Sequence, residues 1–235
     1  MPLATISEEK RIPTGIPGLD PLIQGGLRQS DFVLLQGGIG TGKTIFSTHF
    51  VYNSAKLLNQ PAVFASFEED VKSLKRNMLR FGMDLDQLES KKMLKVIDLE
   101  SLEGGGLSSN IQVILDALDQ LKAKRLVVDS LTAFLSGSDE KFDYALMMHL
   151  VYKTLKREGV TTLMTVSKQI SETDNTNGIE EFIADGIFQI ESYLTQQMEI
   201  RTRFIIKKLR GTDHDKKYHT LSFTPNGLSI LAFSS

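Results

Sequence analysis

The 235-residue chain contains no cysteine. That absence removes disulfide frameworks, thiolate metal sites and catalysis through a Cys nucleophile. Neither charge is in large excess: 27 Lys and Arg against 29 Asp and Glu leave a net charge of -2. No global field therefore draws the chain to nucleic acid or acidic lipid, and any such contact must come from a local patch. Long apolar runs are missing as well. None approaches the ~18 residues needed to span a bilayer, and the polar stretch from Met1 to Arg11 lacks the apolar core of a signal peptide. The expectation is a cytoplasmic protein with no membrane partner. Internal repeats, low-complexity segments and linkers are also lacking. With 41% hydrophobic and 24% charged residues, the chain reads as a short polar tail at residues 1–13 and one α/β domain at residues 14–235.

What is present is an alternation of strand and helix patterns. Ile12 to Leu27 is rich in Gly and Pro and is expected to form turns rather than regular structure. Strands are then expected at Phe32 to Leu35, Pro61 to Phe67, Met93 to Ile97, Arg125 to Asp129 and Val160 to Val166. Helices are expected at Ile45 to Leu58, Val71 to Phe81, Ser109 to Leu121 and Tyr144 to Arg157. This order implies a mostly parallel sheet covered by helices on both faces. Gly186 to Tyr193, Met198 to Leu209, Tyr218 to Thr224 and Leu228 to Ala232 read as strands joined by short turns, so the sheet should end in antiparallel hairpins.

Between the first strand and the first helix lies Gly37-Gly38-Ile39-Gly40-Thr41-Gly42-Lys43-Thr44, which satisfies every fixed position of the phosphate-binding loop G-x-x-x-x-G-K-[ST]. Glycines let the backbone fold into a nest of N–H groups aimed at phosphate oxygens, and the positive end of the following helix adds to that field. Lys43 would reach the β- and γ-phosphates of ATP, and the Thr44 hydroxyl would bind Mg²⁺.

A second Mg²⁺ anchor is expected at the end of a hydrophobic strand beside the loop, and Leu126-Val127-Val128-Asp129 supplies it. Hydrolysis also needs a base that orients water against the γ-phosphate. In many phosphate-loop enzymes a Glu directly follows the strand-end Asp, but Ser130 stands there instead. The carboxylate pair Glu68-Glu69 ends the strand after the first helix, and Glu68 is the first choice for the base. The pair, with Asp70 behind it, also reads as a helix-start signal. Far along the chain, Lys207-Lys208-Leu209-Arg210-Gly211-Thr212-Asp213-His214 ends a strand. Alternation puts Lys208 and Arg210 on one side and Leu209 on the other. Two cations so placed could neutralise charge on a transferred phosphoryl group, or simply guard a sheet edge.

Taken together these residues resemble the RecA/RadA superfamily, most closely its single-domain KaiC-like branch. The resemblance rests on Thr14-Gly15-Ile16-Pro17-Gly18-Leu19-Asp20 followed by Gly25-Gly26-Leu27, on Phe67-Glu68-Glu69, on the strand ending Asp129-Ser130, on Glu180-Glu181-Phe182-Ile183-Ala184-Asp185-Gly186, and on Lys208-Leu209-Arg210-Gly211-Thr212 with His214. It implies a RecA-type ATPase core with ATP between adjacent subunits. Glu68 and Glu69 would correspond to the catalytic carboxylates, and Lys208, Arg210 and His214 would act on the neighbour's nucleotide. That arrangement requires a head-to-tail homo-oligomer, a hexameric ring or a filament. The additional DNA-binding domain and polymerisation motif of a full-length RadA recombinase do not fit before Thr14, so the chain is similar to a RadA paralogue reduced to the ATPase core.

Three purposes for such a core remain open at this level. One is a DNA-associated ATPase that assists or restrains a recombinase, with single-stranded DNA along the loops Leu131 to Lys141 and Lys168 to Ile183. Basic residues at Lys72, Lys75, Arg76 and Arg80, and at Lys216 and Lys217, would give modest, salt-sensitive affinity. Another is a signalling or scaffold ATPase of the clock type, whose nucleotide state is read by a protein partner. A third is a nucleotide-binding structural protein with little catalysis.

Overall fold

Aliphatic and β-branched runs bury best as strands covered on both faces, and the intervening segments cover them as helices. The structure, a computed structural model, describes residues 10–99, 107–131, 144–167 and 178–232. The elements are β1 (Arg11–Ile12), a 3-10 turn (Asp20–Ile23), β2 (Leu27–Arg28), β3 (Phe32–Gly37), α1 (Lys43–Leu57), β4 (Ala62–Ser66), α2 (Val71–Leu79), α3 (Leu85–Ser90) and β5 (Leu94–Asp98). There follow α4 (Leu107–Leu121), β6 (Arg125–Asp129), α5 (Tyr144–Arg157), β7 (Thr161–Ser167), α6 (Ile179–Ile183), β8 (Gly186–Leu194), β9 (Ile200–Leu209), β10 (His219–Thr224) and β11 (Gly227–Ala232).

A 9-stranded sheet has the order β11-β10-β9-β8-β3-β7-β6-β4-β5. The strands from β8 through β5 run parallel, and β9, β10 and β11 continue antiparallel, as the sequence pattern anticipates. Every residue of β4 and β6 is buried, the signature of strands covered on both faces. Val33 and Leu35 of β3 enter one core layer with Phe46 and Phe50 of α1, Val127, Phe188 and Phe204. Phe32 and Leu34 enter the other with Ile114 of α4, Val151 and Leu155 of α5, and Val128. Among the described residues no helix is long and apolar enough to cross a membrane.

Several expectations are adjusted. Ile12 to Leu27 is not wholly irregular, because Arg11 and Ile12, assigned to the tail by sequence, pair antiparallel with Leu27 and Arg28, and Asp20–Ile23 forms the 3-10 turn. Thr14 donates from both its amide and its hydroxyl to Asp20 Oδ1, at 2.8 and 2.6 Å, which closes the turn. Arg125, 1% exposed, pins this opening segment by donating to the carbonyls of Pro13 and Thr14 and lying 4.8 Å above the Phe50 ring. Burial lowers its guanidinium to about 10, with the Asp20 carboxylate opposing. Helices α3 and α6 were not expected. α2 stops at Leu79 rather than Phe81, because Arg80 to Gly82 turns back onto Asn77, Met78 and Leu79.

Candidate functional site

β3 emerges from the sheet centre between β7 and β8, and its C-terminal end leads into Gly38 to Gly42 and then α1. This is where order reverses in an open α/β sheet, the position at which such sheets hold ligands. Gly40 and Gly42 have φ of 74° and 93°, a region that side chains disfavour. Gly42 has a second reason to lack a Cβ, since one there would meet Phe223 Cζ of β10 at 2.3 Å. Gly37 is buried, Gly38 is half-buried, and Ile39 and Gly40 are exposed at the tip. Thr41 Oγ1 donates to the Gly38 carbonyl at 2.9 Å and closes the loop on itself. Lys43, the first residue of α1, donates from Nζ to the carbonyls of Gly37 and Gly38 at 3.1 and 2.9 Å. Burial lowers its ammonium below the ordinary range, while the carboxylates of Asp129 and Glu68 pull it back up.

Those two carboxylates reach Lys43 from neighbouring strands. Asp129 ends β6 and is 5% exposed. Burial raises its carboxyl above the ordinary range, hydrogen bonds from the Thr165 and Thr44 hydroxyls oppose that, and the Glu68 carboxylate adds to the rise. The Thr44 hydroxyl and the Asp129 carboxylate thus converge beside Lys43. They are hard oxygen donors suited to Mg²⁺ held jointly with phosphates. Thr165 of β7, between β3 and β6 in the sheet, is a further partner of Asp129. Nothing in the sequence marks it beyond its place in a strand.

The pair after β4 divides. Glu68 accepts from the hydroxyl of Ser130, the residue that stands where many phosphate-loop enzymes carry Glu. Glu69 accepts from Asn77 Nδ2 of α2 at 2.7 Å, and burial raises its carboxyl. Asp70 takes the helix-start role, since its Oδ1 accepts the Ser73 amide at 2.9 Å. Glu68 is therefore the member of the pair that faces Lys43 and Asp129, and Glu69 is turned toward α2.

Lys208 and Arg210 lie elsewhere. Lys208 is opposite Ile187 on β8, which is level with Leu34 on β3, and Leu209 is opposite Gly186, level with Val33. From Val33 to Gly37 a strand advances about 13 Å, so the two cations belong to the opposite end of the sheet from their own phosphate loop. Both lie on one side, as alternation requires, and Leu209 is buried. Lys208 Nζ donates to the Glu181 carbonyl at 2.7 Å, and Arg210 donates to the carbonyls of Phe182 and Ile183. Burial and the Arg210 charge lower the Lys208 ammonium. His214 Nδ1 lies 3.2 Å from the Thr212 carbonyl, on the loop beyond. Beneath these cations Asp185 accepts the Phe32 amide and the Lys156 ammonium, each at 3.0 Å. Asp31, also buried, is pushed up to about 6 by burial and, in smaller part, by Asp185.

The basic surface on α2 is less basic than its sequence. Lys75 is paired with Asp86 and Glu89 at 2.7 and 2.5 Å, and Asp70, Asp86 and Asp98 line the same depression as Lys72 and Arg76. Lys216 and Lys217 are exposed. Of the two loops considered for single-stranded DNA, only Leu131 and Gly178 to Ile183 fall among the described residues.

A glycine loop at the end of a central parallel strand, with a strand-end Asp two strands away, defines a phosphate-loop protein of the RecA-like fold. The chain belongs to the KaiC-like ATPase family: residues 12–235 match the family model described as ATPase: KaiC. It is 34% identical over 236 residues to the circadian clock oscillator protein KaiC of Parasynechococcus marenigrum, which covers 97% of this chain and 46% of that protein. Against KaiC of Thermosynechococcus vestitus it is 34% identical over 233 residues, 95% of this chain and 44% of the relative. The chain thus spans about half the length of these clock proteins. The crystal structure of a KaiC-like protein from the archaeon Pyrococcus horikoshii superposes with a TM-score of 0.84 at 32% identity, covering 94% of this chain and 98% of the other.

Proposed function

We propose that the chain binds ATP with Mg²⁺ at Gly37 to Thr44 and hydrolyses it in a site completed by an adjacent copy, so that nucleotide state sets subunit packing in a KaiC-type signalling or scaffold assembly. The observation that carries this reading is the convergence of Lys43, Thr44, Asp129 and Glu68 at the ends of β3, β4 and β6. Lys43 would hold the β- and γ-phosphates, and Thr44 and Asp129 would hold Mg²⁺, which when bound neutralises charge on the phosphates. Glu68, held by Ser130, would orient the attacking water. Glu69 would support the same turn through Asn77 rather than touch water.

Lys208, Arg210 and His214 cannot serve their own loop from the far end of the sheet, which supports their action on a neighbour's nucleotide. That contact is head-to-tail, and it closes as a ring, a hexamer being the expected form, or runs on as a filament. Phe182, 64% exposed beside the cations, and Ile39, 88% exposed at the loop tip, offer apolar surface at the two halves of such a contact. Among the described residues the reading as a DNA-associated partner of a recombinase has no comparable convergence behind it, because the α2 face mixes both charges.

Turnover measured against Mg²⁺, with and without single-stranded DNA across a salt series, tests the proposal. Glu68→Gln should lower kcat by about 10² to 10⁴ while calorimetry still detects Mg-ATP binding. DNA should leave turnover unchanged. Stimulation by DNA at low salt would return the recombinase reading, unaltered kcat in Glu68→Gln would remove Glu68 as the base, and Mg-ATP binding without wild-type turnover would leave only a structural nucleotide binder.

A further inference from the structure

Among the described residues, Glu181 touches both the strand behind the loop and the cations, the first through its side chain and the second through its main-chain oxygen. Glu181 lies on α6, whose 5 residues are too few to hold a helix by internal hydrogen bonds. Its position is therefore set by its ties. Gln36 Nε2 donates to Glu181 Oε1 at 2.6 Å. Gln36 is 4% exposed and immediately precedes Gly37, whose carbonyl accepts from Lys43. On the other side, Lys208 Nζ takes the main-chain oxygen of Glu181, and the Arg210 guanidinium takes those of Phe182 and Ile183. One short helix joins the strand behind the phosphate loop to the two cations at the far end.

Each tie has a chemical consequence. An amide donating to an ionised carboxylate makes a stronger bond than a neutral pair, so Gln36 and Glu181 move together. Lys208 and Arg210 donate to the α6 carbonyls, and donors so committed reach phosphate oxygens only by exchanging acceptors. The Gly37 and Gly38 carbonyls that receive Lys43 are one and two residues from Gln36. The Gln36 side chain therefore offers a route from the carbonyls that hold Lys43 to α6.

We propose that Glu181 is a positioning residue which, through Gln36, makes the reach of Lys208 and Arg210 toward a neighbour's nucleotide depend on the state of its own subunit's phosphate loop. This rests on the shared site proposed above.

Mixed assemblies of full-length chains test it. Subunits with Glu68→Gln keep a loaded loop and an intact finger but cannot turn over, and subunits with Arg210→Ala keep the loop and Glu68 but lack the finger. Mixed one to one, they form hybrid sites whose turnover should exceed that of either variant alone. Absence of that recovery would sink the shared site itself. With recovery in hand, Glu181→Ala in the Glu68→Gln subunit, the finger donor, should lower hybrid kcat about tenfold and leave KM for Mg-ATP unchanged. The same change in the Arg210→Ala subunit should alter kcat less than about twofold. Glu181→Gln keeps an oxygen for Gln36 and should restore the finger donor to within about twofold. With Lys43→Ala as finger donor, whose loop cannot hold nucleotide, Glu181→Ala should have less than about a twofold effect. Equal losses from both placements, no loss from either, failure of Gln to restore, or a tenfold loss in the Lys43→Ala background would each overturn the proposal.

Discussion

The two ends of the sheet satisfy their charges in opposite ways. At the C-terminal ends of the parallel strands, Lys43 and Thr44 of α1, Glu68 after β4 and Asp129 of β6 converge and act on one another. At the other end, Lys208 and Arg210 rest on the carbonyls of α6, and Arg210 is 49% exposed. The first arrangement is complete within one chain. The second holds cations whose partners are the α6 carbonyls and, for Arg210, the Asp185 carboxylate at 3.9 Å, with solvent beside them, a condition in which side chains can exchange partners. A site assembled from both must be made by two copies.

The comparison can be broken at either end. The largest effect is expected from Arg210→Ala, which should lower kcat by about 10³ or more and spare the affinity for Mg-ATP. If the loss were confined to affinity, the two ends would not share one site. Next, Gly42→Ala places a methyl against Phe223 at a positive φ. It should destabilise the fold by about 1–3 kcal/mol in chemical denaturation, whereas Gly40→Ala, with nothing within 4 Å of its Cβ, should cost less. The smallest effect concerns the far end. Asp31 has its folded value raised to about 6 from 3.8. The folded state then holds a proton that the unfolded state has lost, and stability falls as pH rises through that window. Asp31→Asn should therefore stabilise by on the order of 1 kcal/mol at pH 7.5, with the gain vanishing below about pH 4, as melting curves across pH would reveal. A gain that grows toward acid would reverse the assignment.

What the sequence disclosed was local, and what it concealed was not. The phosphate loop was legible because its glycines, lysine and threonine are consecutive and flanked by a strand and a helix. Asp129 was legible because three aliphatics precede it on a strand buried throughout. Glu68 was the first choice for the base, but what sets it apart from Glu69 was not legible. It depends on a turn fixed by the Ser66 hydroxyl, which donates to the Glu69 carbonyl at 2.6 Å, and on Asn77 one helix away. The same-side placement of Lys208 and Arg210 followed from alternation, but their carbonyl acceptors lie some 27 residues away in the chain. Helices α3 and α6 escaped because 6 and 5 residues do not display a helical period. In α1 the apolar spacing was a poor guide to burial, since the helix is covered nearly all round and Ser47, Thr48, His49, Asn53 and Ser54 are buried along with Phe46 and Phe50.

The grip of Arg125 on the Pro13 and Thr14 carbonyls has a practical side. Trimming the chain past Thr14 to obtain a tidier crystallisation sample would strip a sequestered guanidinium of two of its acceptors and leave it Gln60 and the Phe50 face, an injury of about 1–3 kcal/mol. The residues ahead of the first long strand are thus a wedge whose withdrawal loosens the end of the sheet where β6 begins.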